Sequence, residues 1–339
     1  MLRDVPPEIA EDTFWTKIPP PLLSMIVLGL AFVIAMLIGI GASDGTPDSK
    51  AFVVGVPWMV WRALAGAALV VFALLTVQAI RILQHPAKWG FYPPPGRAPR
   101  YMVCAIIGTL VGGLFWLWTP ELGPELPIRD LQARTGVVLV GALLATVPWL
   151  TIVWLGHAEC RDLKNDVGKR PQTGPAHDYA DAMREDTVDP EQFRLAVRQL
   201  ERLWRLLLTC AGAFTIGIIA AIASAGALRG AFVAAYPDRR DEFPPSNVLL
   251  YGGLFTLGLS VIAVPMAVAW RARAQRLVEH ACPLPPDGRP TVAWTEERHR
   301  VERLLHLDIP FVRNPLTLIS VTAPLLVSAF AAFLPLVAN

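Results

Sequence analysis

Residues 57–80 read PWMVWRALAGAALVVFALLTVQAI, an apolar run whose strongly polar members are Arg62 and Gln78. As a helix rising ~1.5 Å per residue, it is long enough to cross the ~30 Å hydrocarbon core of a bilayer. Inside lipid the backbone has to satisfy its own hydrogen bonds, so a run of this kind is read as a helix. The alternation of a membrane barrel strand is absent from it.

Six further stretches have the same character: 22–41, 101–118, 135–155, 206–227, 249–269 and 316–337. The fold expected is therefore all-α, a polytopic integral membrane helical bundle of seven transmembrane helices. Whole-chain composition points the same way. Of the 339 residues, 54% are hydrophobic and 17% charged, and mean hydropathy is +0.45, whereas a soluble domain carries about 25% charged residues. An ordinary globular protein, a disordered chain and a disulfide scaffold are excluded. The net charge of +2 gives no footing for a nucleic-acid partner.

Orientation follows from Lys and Arg, which remain on the cytoplasmic side. With the N-terminus inside, inner segments hold 23 of the 30 basic residues and outer loops 6, and Arg62 lies in a span. The expected division is a cytoplasmic tail 1–21, helices one to four in 22–155 and a cytoplasmic loop 156–205. Helices five and six follow in 206–269, a second cytoplasmic loop in 270–314 and helix seven in 315–339. The site expected is the plasma (inner) membrane. Gly39, Gly41 and Ala42 imitate a signal-peptide cleavage region, but the preceding Asp4, Glu8, Glu11 and Asp12 and the length of the run mark a retained anchor. Tryptophans favour the lipid–water boundary, and Trp15, Trp89, Trp154, Trp204 and Trp270 are assigned to the inner one, Trp58, Trp61, Trp116 and Trp118 to the outer one.

The outer loops, broken by residues such as Pro120, Gly123, Pro124 and Pro127, read as connectors. In the first inner loop, 161–187 mixes Gly and Pro with charge and reads as a flexible linker. A helix then begins with Asp189 as cap and Pro190 in its first turn. Phe193, Val197, Leu200 and Trp204 form its apolar stripe, and Arg194, Arg198, Glu201, Arg202 and Arg205 its charged face. In the second inner loop Thr295 is expected to cap a short helix with Val301, Leu304 and Leu305 as its stripe. Both stripes can pack on the spans or the membrane surface, or receive a cytosolic protein at 156–205 and 270–314; Arg194, Arg198 and Arg202 are the residues expected to meet such a partner or lipid.

No Asp or Glu falls in a span, which speaks against proton- or sodium-coupled transport. Arg62, beside Trp61, is an interfacial anchor that snorkels to water, with a lipid-headgroup or substrate contact as its alternative role. His157, Glu159 and Cys160, with Glu279, His280 and Cys282, have the residue types of a zinc site; His157, Cys160, His280 and Cys282 would be the ligands. Their spacing lacks the paired ligands of a structural zinc motif, and no metal or cofactor is expected. The chain has no Gly-x-Ser-x-Gly, no phosphate-binding Gly-rich loop and no His-Glu-x-x-His. Gly108 and Gly112 form a G-x-x-x-G that lets another helix come close, within the chain or in a homo-oligomer. Pro148, Pro265 and Pro324 are placed to bend their helices.

Taken together, the sequence points to a non-enzymatic membrane component whose cytoplasmic loops receive or relay a partner's signal. The alternative is a carrier or channel for a neutral or amphiphilic small molecule or lipid. Thr146, Thr151, Thr256, Ser260, Ser320 and Thr322 would then line its path. An enzyme working through His157 and Glu159 ranks third.

Overall fold

The computed structural model describes residues 20–89, 97–122, 126–166, 190–284, 289–307, 322–323 and 325–331, and among these the chain is helical with no strand. Eight helices are labelled in chain order: α1 Pro20–Leu37, α2 Pro47–Val54, α3 Val56–Gln84, α4 Arg97–Leu122, α5 Leu131–Asp166, α6 Pro190–Ala235, α7 Pro245–Ala281 and α8 Val292–Leu304. Residues 325–331 are also helical.

Four stretches are long and apolar enough to cross a membrane: Val56–Gln84, Leu131–Cys160, Phe193–Ala235 and Pro237–Ala281. The apolar parts of α1 and α4, Ser24–Leu37 and Pro99–Leu114, are shorter. Around the bundle, Met25, Leu30, Phe32, Met102, Leu110, Leu114, Leu144, Val261 and Val268 are exposed. An apolar surface of this extent calls for lipid, because soluble monomers rarely show a patch beyond a few hundred Å².

α3, α5 and α6 form the centre, with α1 against α3, α4 against α5, and α7 across α5 and α6. Successive long helices run antiparallel, so that α3 and α5, matched at Leu69–Gly141 and Leu75–Trp149, run parallel, and neighbours approach through small residues. A Cβ on Gly217 of α6 would sit 3.2 Å from Leu75 of α3, and one on Gly141 of α5 only 2.8 Å from Leu69. Trp149 of α5 closes the centre by donating its indole N–H to the Leu75 carbonyl at 3.1 Å. That bond matters where no water can replace it.

Several boundaries differ from the sequence reading. Pro120 lies inside α4, which runs to Leu122. As the sequence reading expects, Pro148 and Pro265 lie inside their helices, α5 and α7, which membrane helices allow. Residues 161–166 prolong α5 instead of opening a linker. Residues 167–189, Asp189 among them, and Pro324 lie outside the described residues. The cap of α8 is Thr291, not Thr295: its hydroxyl accepts from the Trp294 N–H at 3.3 Å. The cause is Trp294, whose indole donates to the Pro283 carbonyl at 2.9 Å and draws the helix a turn earlier.

Candidate functional site

The antiparallel arrangement gathers chemistry at the two ends of the bundle. At one end, the last turns of α5 and α7 and the first turns of α6 continue beyond the central packing, and α7 meets α8. Here Leu200, Leu203, Trp204 and Leu206 of α6, Trp270, Ala274 and Val278 of α7, and Val301 of α8 with Leu305 just after it belong to one buried core. Trp204 and Trp270 lie 4.6 Å apart, ring centre to ring centre, and the Trp270 indole donates to the Leu200 carbonyl at 2.8 Å. The His306 ring is 6.1 Å from Trp204. The stripe read from Phe193 to Trp204 thus packs on the chain's own helices, while Arg194, Arg198 and Arg202 are exposed on the opposite face. Val301 of α8 and Leu305, which follows its last residue, turn inward, but Leu304 is exposed.

The residues with metal-ligand chemistry are used otherwise. Glu159 accepts from the Gln199 side chain at 2.8 Å, tying α5 to α6, and Cys160 is buried. Cys282 is buried near α8, where burial first and Glu297 second push its thiol above its ordinary value. His280 is exposed. Among the described residues no group of three His, Cys, Asp or Glu side chains stands where it could hold a metal ion.

The other end is built from the last turn of α1, the short α2, the start of α3 and the segment leading into α5. Ser49 is fully buried. Its hydroxyl donates to the Pro127 carbonyl at 2.6 Å and accepts from the Asp44 N–H at 3.1 Å. Asp44 in turn accepts from the Thr46 hydroxyl and N–H at 2.7 and 2.9 Å, and these bonds hold its carboxyl below the ordinary range. Arg134, in the first turn of α5, donates to the Ile38 carbonyl and, at 3.0 Å each, to those of Ile40, Gly41 and Arg129. A cation is thereby placed at the negative end of α1. Arg62 reaches from α3 to the bare backbone of Gly39, where a Cβ would collide with its guanidinium. Among the described residues Arg62 has neither a hydrogen bond nor an ion pair.

Two expectations for tryptophan need correction. Trp58, Trp61, Trp204 and Trp270 stand at the ends of their spans but are buried in protein. Trp58 and Trp61 stack on each other at 4.6 Å. Among the described tryptophans, Trp154 is 40% exposed and Trp89 half-buried, as the boundary pattern expects; Trp15 and the side chains of Trp116 and Trp118 lie outside what is described. Of the hydroxyls proposed to line a path, three return to their own helices, Thr146 to Ala142, Thr151 to Val147 and Ser260 to the Thr256 carbonyl, the Thr256 hydroxyl is buried without a hydrogen-bond partner among the described residues, and Ser320 lies outside the described residues. Gly108 and Gly112 face α5, at Val147 and Leu143. Sequence reasoning missed Arg134, Gln199, Trp294 and His306; for Arg134 a basic residue just before an apolar run was a signal, whereas the others depend on helix contacts. Comparison with known family models, curated proteins and solved structures finds no match.

Proposed function

We propose that this chain is a non-enzymatic component of the plasma (inner) membrane, with seven spans and a cytoplasmic N-terminus, whose inner loops receive or relay a partner's signal. The observation that carries the reading is α6. It runs 46 residues without a break, about 69 Å at ~1.5 Å per residue, more than twice the ~30 Å hydrocarbon core. A force applied at the face of Arg194, Arg198 and Arg202 is therefore delivered by a continuous helix to the packing of α6 against α3. The Trp204–Trp270 contact and the Glu159–Gln199 bond bind that lever to α7 and α5.

The test is charge reversal of Arg194, Arg198 and Arg202 together, with a photo-crosslinker carried at Gln192 in native membranes. The expected result is a stoichiometric cytosolic adduct in the parent and at least a tenfold loss in the triple variant. An adduct of equal yield in both, or a phenotype left intact by the reversal and by deletion of 161–187, sinks the relay. A second reading, a carrier for an amphiphile, draws support from an apolar groove between α1, α3 and α5. Reconstituted vesicles showing no flux of a fluorescent lipid dispose of it.

A further inference from the structure

The groove is lined by Ile34 of α1, Leu69 of α3, and Ala133, Val137, Val140 and Leu144 of α5, and encloses about 470 Å³. Val140 and Leu144 are exposed, so it opens on the outer surface of the bundle. From Ala133 to Leu144 it follows α5 for about 16 Å, roughly half the ~30 Å hydrocarbon core and hence the depth of one leaflet.

The mouth of the groove lies at the end where Ala133 is followed by Arg134. Moving outward from Ile34 along α1 leads to Gly39, and moving outward from Leu69 along α3 leads to Arg62, whose guanidinium rests on Gly39. Arg62 and Arg134 are near enough for their charges to repel. Arg129 stands beside them, paired with Asp130 at 3.5 Å. Three arginines thus stand at the rim with Asp130, and Asp44 in the adjoining loop, which accepts from Thr46, keeps its negative charge, leaving one positive charge in excess among these five. The donors of Arg134 are spent on carbonyls, whereas those of Arg62 are not spent on any described group.

We infer that this groove holds one anionic phospholipid, its acyl chain along α5 and its phosphate on Arg62. A phosphodiester offers acceptor oxygens to the planar guanidinium fork and a negative charge to a rim with excess positive charge. A zwitterionic choline headgroup would bring its own cation against Arg129 and Arg134, which selects the anionic class. The one-leaflet length and the charged mouth at one end favour a lipid over a second helix, which would bring an apolar face past the arginines. The assignment stands apart from the relay and requires only that the bundle lie in a bilayer.

The experiment uses the full chain in nanodiscs of equal phosphatidylglycerol and phosphatidylcholine, released for native mass spectrometry. One retained phosphatidylglycerol per chain is expected, with phosphatidylcholine at least tenfold rarer. Arg62→Gln should lower retention at least tenfold and Arg62→Lys should keep part of it. Val140→Trp, which fills an exposed part of the groove, should displace the lipid while leaving unchanged the melting temperature measured in nanodiscs of phosphatidylcholine alone, where no anionic lipid is there to lose. Retention of both lipids alike, or retention indifferent to Arg62→Gln and Val140→Trp, means ordinary surrounding lipid and overturns the inference. A lipid-free dimer broken by Val140→Trp overturns it too, in favour of a second copy of the chain. Failure to enter nanodiscs at all would overturn this inference and the relay together, whereas entry without retained lipid overturns this one alone.

Discussion

Replacing Trp204 and Trp270 by leucine, singly and together, measures how firmly α6 is bound to α7 beyond the central packing. Both rings are almost wholly buried, so each single change should cost about 2–4 kcal/mol, somewhat less than truncation of a buried Trp to Ala. Trp270 also loses its bond to the Leu200 carbonyl, which adds about 1 kcal/mol for that variant alone. The tilted contact, with centroids 4.6 Å apart and planes at 32°, is worth about 1 kcal/mol beyond area burial. The double variant should therefore be less destabilised than the sum of the singles by about that amount. The assay is unfolding by SDS titration in mixed micelles, followed by circular dichroism. If the coupling falls within ~0.3 kcal/mol of zero, and the two singles cost the same, the tryptophans act as separate anchors in lipid. Quenching by brominated phospholipid gives an independent check, in which Trp154 should be quenched strongly and Trp204 and Trp270 little.

Two further outcomes follow from local geometry. Gly112→Leu places a side chain against Leu143 and should destabilise the bundle by about 1–3 kcal/mol through overpacking, whereas Gly113, with nothing within 4 Å of a Cβ, should accept leucine without loss; equal melting temperatures for the two variants would refute the α4–α5 contact. Because the bonds from Thr46 lower its pKa, Asp44 should titrate below its ordinary 3.8, so the Thr46 amide stays protected above that pH and opens as the pH falls through the depressed value. A carbon-13 titration with a midpoint at or above 3.8, or one that Thr46→Val leaves unmoved, contradicts this.

The long apolar runs made the helices legible, because period and length are properties of the chain alone. What those runs touch was less accessible. Trp58 and Trp204 sit at span ends, as boundary tryptophans do, yet sequence position says nothing about whether lipid or another helix lies over the ring. The stripe from Phe193 to Trp204 could be read, and with it the exposure of Arg194 and Arg198, but its partner, the face of Trp270 and Val278, comes from 70 residues away in the case of the Trp270–Leu200 bond. At the opposite end Arg62 stood out because charge in an apolar run is conspicuous. Arg134 did not, since its meaning depends on the end of α1, which reaches it only once the bundle has formed.

The two parts of the molecule are held by different forces, which bears on how one could act on the other. Within the bilayer, lipid tails compete equally for apolar surface, so helices associate through close packing and shared polar bonds. That is the role of Gly141 against Leu69, of Gly217 against Leu75, and of Trp149 bonded to the Leu75 carbonyl. Where α5, α6 and α7 run on past the central packing, Leu200, Leu203, Val278, Val301 and Leu305 are buried, and on the topology proposed above, in which this end stands outside the lipid, water would supply the driving force there. A partner that covers or uncovers apolar surface at that end changes a term worth roughly 25 cal/mol per Å². The packing between spans has no comparable term to oppose it. On the relay proposed above, a shift of α6 relative to α7 at the Trp204–Trp270 contact would pass along the continuous helix α6 into its packing against α3.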